Sequence, residues 1–113
     1  MILQGQIYWT DLDPVRGREQ QGRRPCLVLT RDPLNALPLT VLVMAGTSAE
    51  RVSRRYPTDI LVTAKESGLP KDTVFLGLQI RSVDPGRLVA LAGRLPDCRL
   101  PEVLAVLRYL VEG

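Results

Sequence analysis

A chain of 113 residues with 45% hydrophobic and 24% charged residues has apolar material for one core but not for two, which argues against disorder and for a single domain over residues 1–113. Histidine is absent and the two cysteines, Cys26 and Cys98, lie far apart, which excludes zinc-type ligand clusters and histidine-based acid/base pairs or triads. The net charge of +3 is modest and the plain reading of the cations is a solvated surface, but Arg16, Arg18, Arg23 and Arg24 crowd together, as do Arg51, Arg54 and Arg55, a clustering that points toward functional patches.

Taken in order, Ile7, Tyr8, Trp9 and Thr10 follow Gly5 and end at Asp11, a short first strand rich in aromatic and β-branched residues. The stretch from Asp13 to Thr30 then joins a charged loop to a second strand. Gly17, Gly22 and two prolines mark the loop as shaped and non-helical. Pro25 holds Arg24 extended, because a proline disfavours helical geometry in the residue before it. Beyond it, Cys26 to Thr30 is apolar enough for a strand buried on both faces, with Cys26 a small buried hydrophobe. Asp32, Pro33 and Asn35 predict a turn, and Leu39 to Ala45 a third, central strand that stops at Gly46 and leaves Thr47 and Ser48 at its end.

Ala49 to Pro57 is a cationic connection without a period. Asp59 to Thr63 predicts a fourth strand, and Lys65 to Asp72 a turn or at most one helical turn. Thr73 to Leu78, continuing through Gln79, Ile80 and Arg81, is a fifth strand; Asp84-Pro85-Gly86 is a turn, and Arg87 to Ala92 a sixth strand. From Pro101 the period changes: Val103, Leu104, Leu107, Leu110 and Val111 recur at three and four, the stripe of a helix. Pro101 suits the first helical turn and Glu102 the positive end of the dipole. Six short strands and a terminal helix predict a mainly β fold, a small barrel or curved sheet with the helix closing one side. No apolar run approaches about 18 residues, so a cytoplasmic protein without membrane contact is expected.

The sequence carries neither a GxxxxGKS nor a GxGxxG phosphate loop, and its carboxylates are scattered. What remains is guanidinium beside hydroxyl, a pairing that suits a phosphodiester because Arg offers two parallel donors and Thr a third. An ordinary binding domain with a charged loop fits the same residues. Aromatics are few, at Tyr8, Trp9, Tyr56, Phe75 and Tyr109, so a nucleic-acid platform of stacked rings is not expected.

Several ordered motifs resemble the MazF/PemK family of toxin endoribonucleases: Gly5-Gln6-Ile7-Tyr8-Trp9, Asp11-Leu12-Asp13-Pro14, Gly17-Arg18-Glu19-Gln20 and Gly22-Arg23-Arg24-Pro25 before an apolar strand. Downstream, Thr40 and Thr47 bracket a strand, and Asp72-Thr73-Val74 and Leu78 to Asp84 continue the likeness over nearly the whole chain. The resemblance implies an SH3-like barrel with a C-terminal helix, and a homodimer. It also implies cleavage of single-stranded RNA, messenger RNA foremost, at a short sequence, with no metal and no cofactor. A cognate antitoxin, acidic and partly disordered, would neutralise the toxin and bind DNA together with it.

Matched residue by residue, Arg24 and Thr47 take the family's catalytic positions, and Arg18, Glu19, Gln20, Ser48, Gln79 and Arg81 those lining the RNA groove. Arg18 departs from the family, which commonly has serine there, so no cleavage sequence is implied. The resemblance further implies attack by the ribose 2′-hydroxyl on the adjacent phosphorus, giving a 2′,3′-cyclic phosphate and a 5′-hydroxyl. In that chemistry Arg24 would stabilise the pentacoordinate phosphorane, Thr47 would donate to a non-bridging oxygen, and Glu19 would orient Arg24 or contact a base. Two other readings share the fold: a non-catalytic SH3-like binding module, and a toxin that poisons DNA gyrase.

Overall fold

Six strands alternate with short turns, and a computed structural model of the chain describes residues 1–12, 22–37 and 39–112. The strands are β1 (Gln6–Asp11), β2 (Arg23–Val28), β3 (Val41–Ser48), β4 (Asp59–Val62), β5 (Thr73–Val83) and β6 (Leu88–Arg94). Single-turn helices α1 (Asp32–Asn35) and α2 (Ala64–Ser67) interrupt them, and α3 (Leu100–Val111) ends the fold. All ladders are antiparallel, in the order β4-β5-β3-β2-β1-β6. The mainly β architecture with a C-terminal helix is therefore as expected, although the sheet does not close: β4 and β6 are its two ends. The charged loop from residue 13 to residue 21, with Arg18, Glu19 and Gln20, lies outside the described residues.

Burial explains the strand order. Ile7, Leu27, Met44, Phe75 and Val103 pack into one cluster, with α3 contributing Val103 and Val106. Leu12, Cys26, Val28, Val41, Val43, Ala45 and Val83 pack into a second. The apolar run of β2 thus serves both clusters, as a strand buried on both faces must. Burying the side chains of Ile7, Leu27, Met44 and Phe75 contributes roughly 1.5–3 kcal/mol each, the main stabilising contribution.

Several boundaries differ from expectation by a residue or two, and two of the differences bear on the site. β2 begins at Arg23 instead of Cys26, so Arg24 is a strand residue, opposite Thr10 of β1. β3 does not stop at Gly46 but runs to Ser48. At Gly46 a Cβ would lie 2.9 Å from the Thr73 methyl and 3.0 Å from the Phe75 ring. The glycine lets β5 approach, and does not end the strand. Thr47 and Ser48 consequently sit in the ladder with β5, opposite Val74 and Thr73.

Between β4 and β5 the chain makes a full helical turn. The Thr63 hydroxyl accepts from the Glu66 N–H at 3.2 Å, and the Glu66 carboxylate accepts from the Thr63 N–H at 2.8 Å, a reciprocal cap that closes α2. A single helical turn here is within the expectation for this segment, and Thr63-x-x-Glu66 is its capping signature.

Candidate active site

Register brings the two central residues together. The β2–β3 ladder ends at Cys26 opposite Ala45, and Arg24 and Thr47 each lie two residues beyond that last pair, held by β1 and β5 respectively. Pro25 lies one residue beyond the last pair, so its missing N–H removes no bond from that ladder. The strands part there, and an open cleft of about 190 Å³ forms, lined by Trp9, Arg24, Pro25, Thr47, Ser48 and Arg51 together with Arg23 and the segment Leu69–Lys71. A second cleft of about 430 Å³ adjoins it, lined by Arg24, Thr47, Arg51, Val52, Ser53, Arg54 and Leu76. Arg24 and Thr47 belong to both.

The wall opposite β2 is held by hydrogen bonds that cross from one connection to another. The Ala49 N–H donates to the Asp72 carbonyl at 2.8 Å, and the Ala64 N–H donates to the Asp72 carboxylate at 2.7 Å. Lys71 pairs with Glu50 at 2.7 Å, and that hydrogen bond holds the exposed Glu50 carboxyl below its usual range. The turn after β3, the segment before β5 and α2 are thereby tied to one another. Arg23, Arg24, Arg51 and Lys71 face the first cleft, and among the described residues no carboxylate lines it. Such a lining attracts an anion.

The residues expected to act together are only partly gathered. Arg24, Thr47 and Ser48 share the first cleft. Gln79 and Arg81 line neither cleft. Gln79 stands, partly buried, where the β3–β5 register shifts between Met44 and Gly46. Arg81 lies opposite Val43, and its charge acts on the thiol of Cys26. Burial pushes that thiol up to about 11, against a hydrogen bond with Thr10 and the Arg81 charge, so Cys26 is neutral at ordinary pH and not a nucleophile. Trp9, Arg51 and Lys71 also line the first cleft; Trp9 lies in the Gly5–Trp9 motif and Arg51 in a cationic cluster, but neither was expected at the site, and folding brings the end of β1 and two distant connections to one place.

Chemically, the two clefts offer guanidinium groups, the four hydroxyls of Thr47, Ser48, Ser53 and Thr73, and one aromatic ring. They offer no described cluster of three or more Cys, Asp or Glu side chains able to hold a metal. With Cys26 buried and neutral and no histidine in the chain to activate a hydroxyl, the site is suited to binding and polarising a phosphodiester.

The chain matches the family described as PemK-like, MazF-like toxins of type II toxin–antitoxin systems over residues 3–111. It is 37% identical over 103 residues to the endoribonuclease EndoA of Bacillus subtilis, covering 91% of this chain and 88% of that protein. Its fold superposes on crystalline MazF of Deinococcus radiodurans with a TM-score of 0.81 at 28% identity, covering 99% and 97% of the two chains. A crystal structure of MazE–MazF from the same organism matches with a TM-score of 0.74 at 25% identity, covering 98% and 95%.

Proposed function

The chain belongs to the PemK-like, MazF-like toxin family of type II toxin–antitoxin systems, and from that premise we propose that it is an endoribonuclease cutting single-stranded RNA at a short sequence without a metal. Messenger RNA is the expected cellular target. The observation that carries the reading is that Arg24 and Thr47, each two residues beyond the last β2–β3 pair, line both clefts. A phosphodiester at that wall would place one nucleoside in each cleft.

The substrate supplies the nucleophile. Its 2′-hydroxyl attacks the adjacent phosphorus, the bond to the 5′-oxygen breaks, and the proton lost from the former is matched by one gained by the latter. Arg24 acts by donating two parallel hydrogen bonds to the phosphorane oxygens. Thr47 donates a third. Aimed donors of this kind lower the barrier because they are in place before charge develops. Ser48 shares the cleft and contacts substrate. An RNA contact with Gln79 or Arg81 requires a strand that extends past both clefts.

The cationic cleft is also what an acidic, partly disordered antitoxin would cover, folding as it binds; toxin and antitoxin together would then bind DNA. A homodimer is expected from α3, whose Tyr109 is 69% and Val111 83% exposed. Among the described residues no helix is long and apolar enough to cross a membrane, and a cytoplasmic location accords with an RNA substrate.

The test is incubation of the purified chain with a long single-stranded RNA in the presence of a chelator. Discrete fragments ending in a 2′,3′-cyclic phosphate are expected, with a DNA strand of the same sequence left intact. A 2′-methyl ether at the cut position should stop cleavage and spare binding. Cutting of that modified strand at the same bond would overturn internal attack.

A further inference from the structure

Three residues, and not two, line both clefts: Arg24, Thr47 and Arg51. We infer that Arg51 is a further RNA-binding residue, gripping the backbone where it passes from one cleft to the other; this rests on the reading of those clefts as an RNA site. Its position is built from the sequence upward. Ala49–Arg51 forms a single 3-10 turn directly after β3, closed by the Val52 N–H donating to the Ala49 carbonyl at 3.1 Å. The turn is pinned to the start of β5 through Ala49 and Asp72. Arg51 is thereby held four residues from Thr47 on a fixed backbone, with its exposed side chain at the junction of the clefts.

Its neighbours are otherwise engaged. Lys71, across the first cleft, is neutralised by Glu50 at 2.7 Å. Arg54, in the second cleft, lies over the Tyr56 ring at 5.4 Å from its centroid. Arg55 is exposed and lines neither cleft. Arg51 has no ion pair or hydrogen bond from its guanidinium among the described residues, and its charge faces the space an RNA backbone would cross. A strand whose two nucleosides occupy adjoining clefts must carry a phosphate across the wall between them. Arg24 and Thr47 attend the reacting phosphate; Arg51, further along the same wall, attends the next.

The contact is electrostatic and independent of base, so its loss weakens every RNA alike and lowers the salt dependence of binding. Affinity of the full-length chain for a single-stranded RNA carrying a 2′-methyl ether at the cut position would be measured against salt, for the wild type, Arg51→Ala, Arg51→Lys and Arg55→Ala. Arg51→Ala is expected to bind several-fold more weakly, with the slope of log affinity against log salt reduced by about 0.7, the value for one single-strand phosphate. Arg51→Lys should keep most of the slope, and Arg55→Ala all of it. On cleavable RNA, Arg51→Ala should raise KM with little change in kcat, the signature of lost uniform binding. An unchanged slope and affinity in Arg51→Ala, or an equal loss in Arg55→Ala, would overturn the assignment. The slope decides Arg51 whether or not the wild type cuts, and cutting separately decides the nuclease reading.

Discussion

The Arg99 guanidinium donates to the Glu66 carboxylate at 2.9 Å, joining the start of α3 to α2. It also donates to Glu102 and to the Leu61 carbonyl, both at 2.9 Å. One side chain thus ties the terminal helix to β4 and to the wall of the first cleft, since Leu69, Pro70 and Lys71 follow α2 directly. Arg99 and Glu66 are each about a quarter exposed, at 24% and 26% of their side chains, so water screens the pair only in part.

Replacing Arg99 with alanine leaves the Leu61 carbonyl and the Glu66 carboxylate without that donor. A loss of about 1–2 kcal/mol is expected, or ~5–10 °C in Tm for a domain of this size. The pH dependence has a definite sign. The Thr63 N–H, and after it Arg99, hold the Glu66 carboxyl below its ordinary value. Its contribution is therefore present above the ordinary carboxyl range and is lost as pH falls through the lowered value. Thermal melts of wild type and Glu66→Gln between neutral and acid pH should converge as the pH drops; a gap that stays constant would contradict this.

Cys26 gives the opposite slope. Its thiol titrates near 11 in the fold against an ordinary value of 9.0, so between those values the folded chain holds a proton that the unfolded chain releases. Stability should fall as pH rises through that window, by roughly 2–3 kcal/mol from this group. Denaturant melts at pH 8 to 11 should show a steeper decline for wild type than for Cys26→Ala. Equal declines would mean that the burial of Cys26 carries no such cost.

Gly77 tests the close approach of β5 to the segment before β4. A Cβ there would lie 2.2 Å from the Thr58 carbonyl oxygen and 2.8 Å from the Thr58 Cβ. Backbone must move to admit it, and Gly77→Ala should cost about 1–3 kcal/mol, as overpacking does. Chemical denaturation measures it directly; a variant as stable as wild type would show that β4 and β5 can separate freely.

Much of this fold is readable from local pattern because its causes are local. The apolar run after Pro25 reads as a strand buried on both faces, and the three-and-four spacing from Val103 reads as a helix. Pro25 likewise announces the extended Arg24. The misplaced end of β3 has a different cause: a glycine that serves a neighbouring strand looks, in sequence, like one that stops its own. Arg24 and Thr47 were recognisable through resemblance, but their juxtaposition comes from the β2–β3 register, which no single segment encodes. Trp9, Arg51 and Lys71 were not legible as site residues for the same reason, since strand β1 and two separate connections converge to place them.

The most direct test of the central claim is the cleavage rate of Arg24→Lys on one RNA, beside wild type, Arg24→Ala and Thr47→Ala, with Tm for each. Lysine keeps the charge but not the two parallel donors, so Arg24→Lys should fail nearly as badly as Arg24→Ala. Loss of one aimed donor typically lowers turnover by roughly 10² to 10³, and Thr47→Ala should lose that much or less. Tm should hold within the small shifts usual for partly exposed positions, about 0.5 kcal/mol in stability. Near-normal cleavage by Arg24→Lys, with folding intact, would contradict the assignment of Arg24 to the phosphorane.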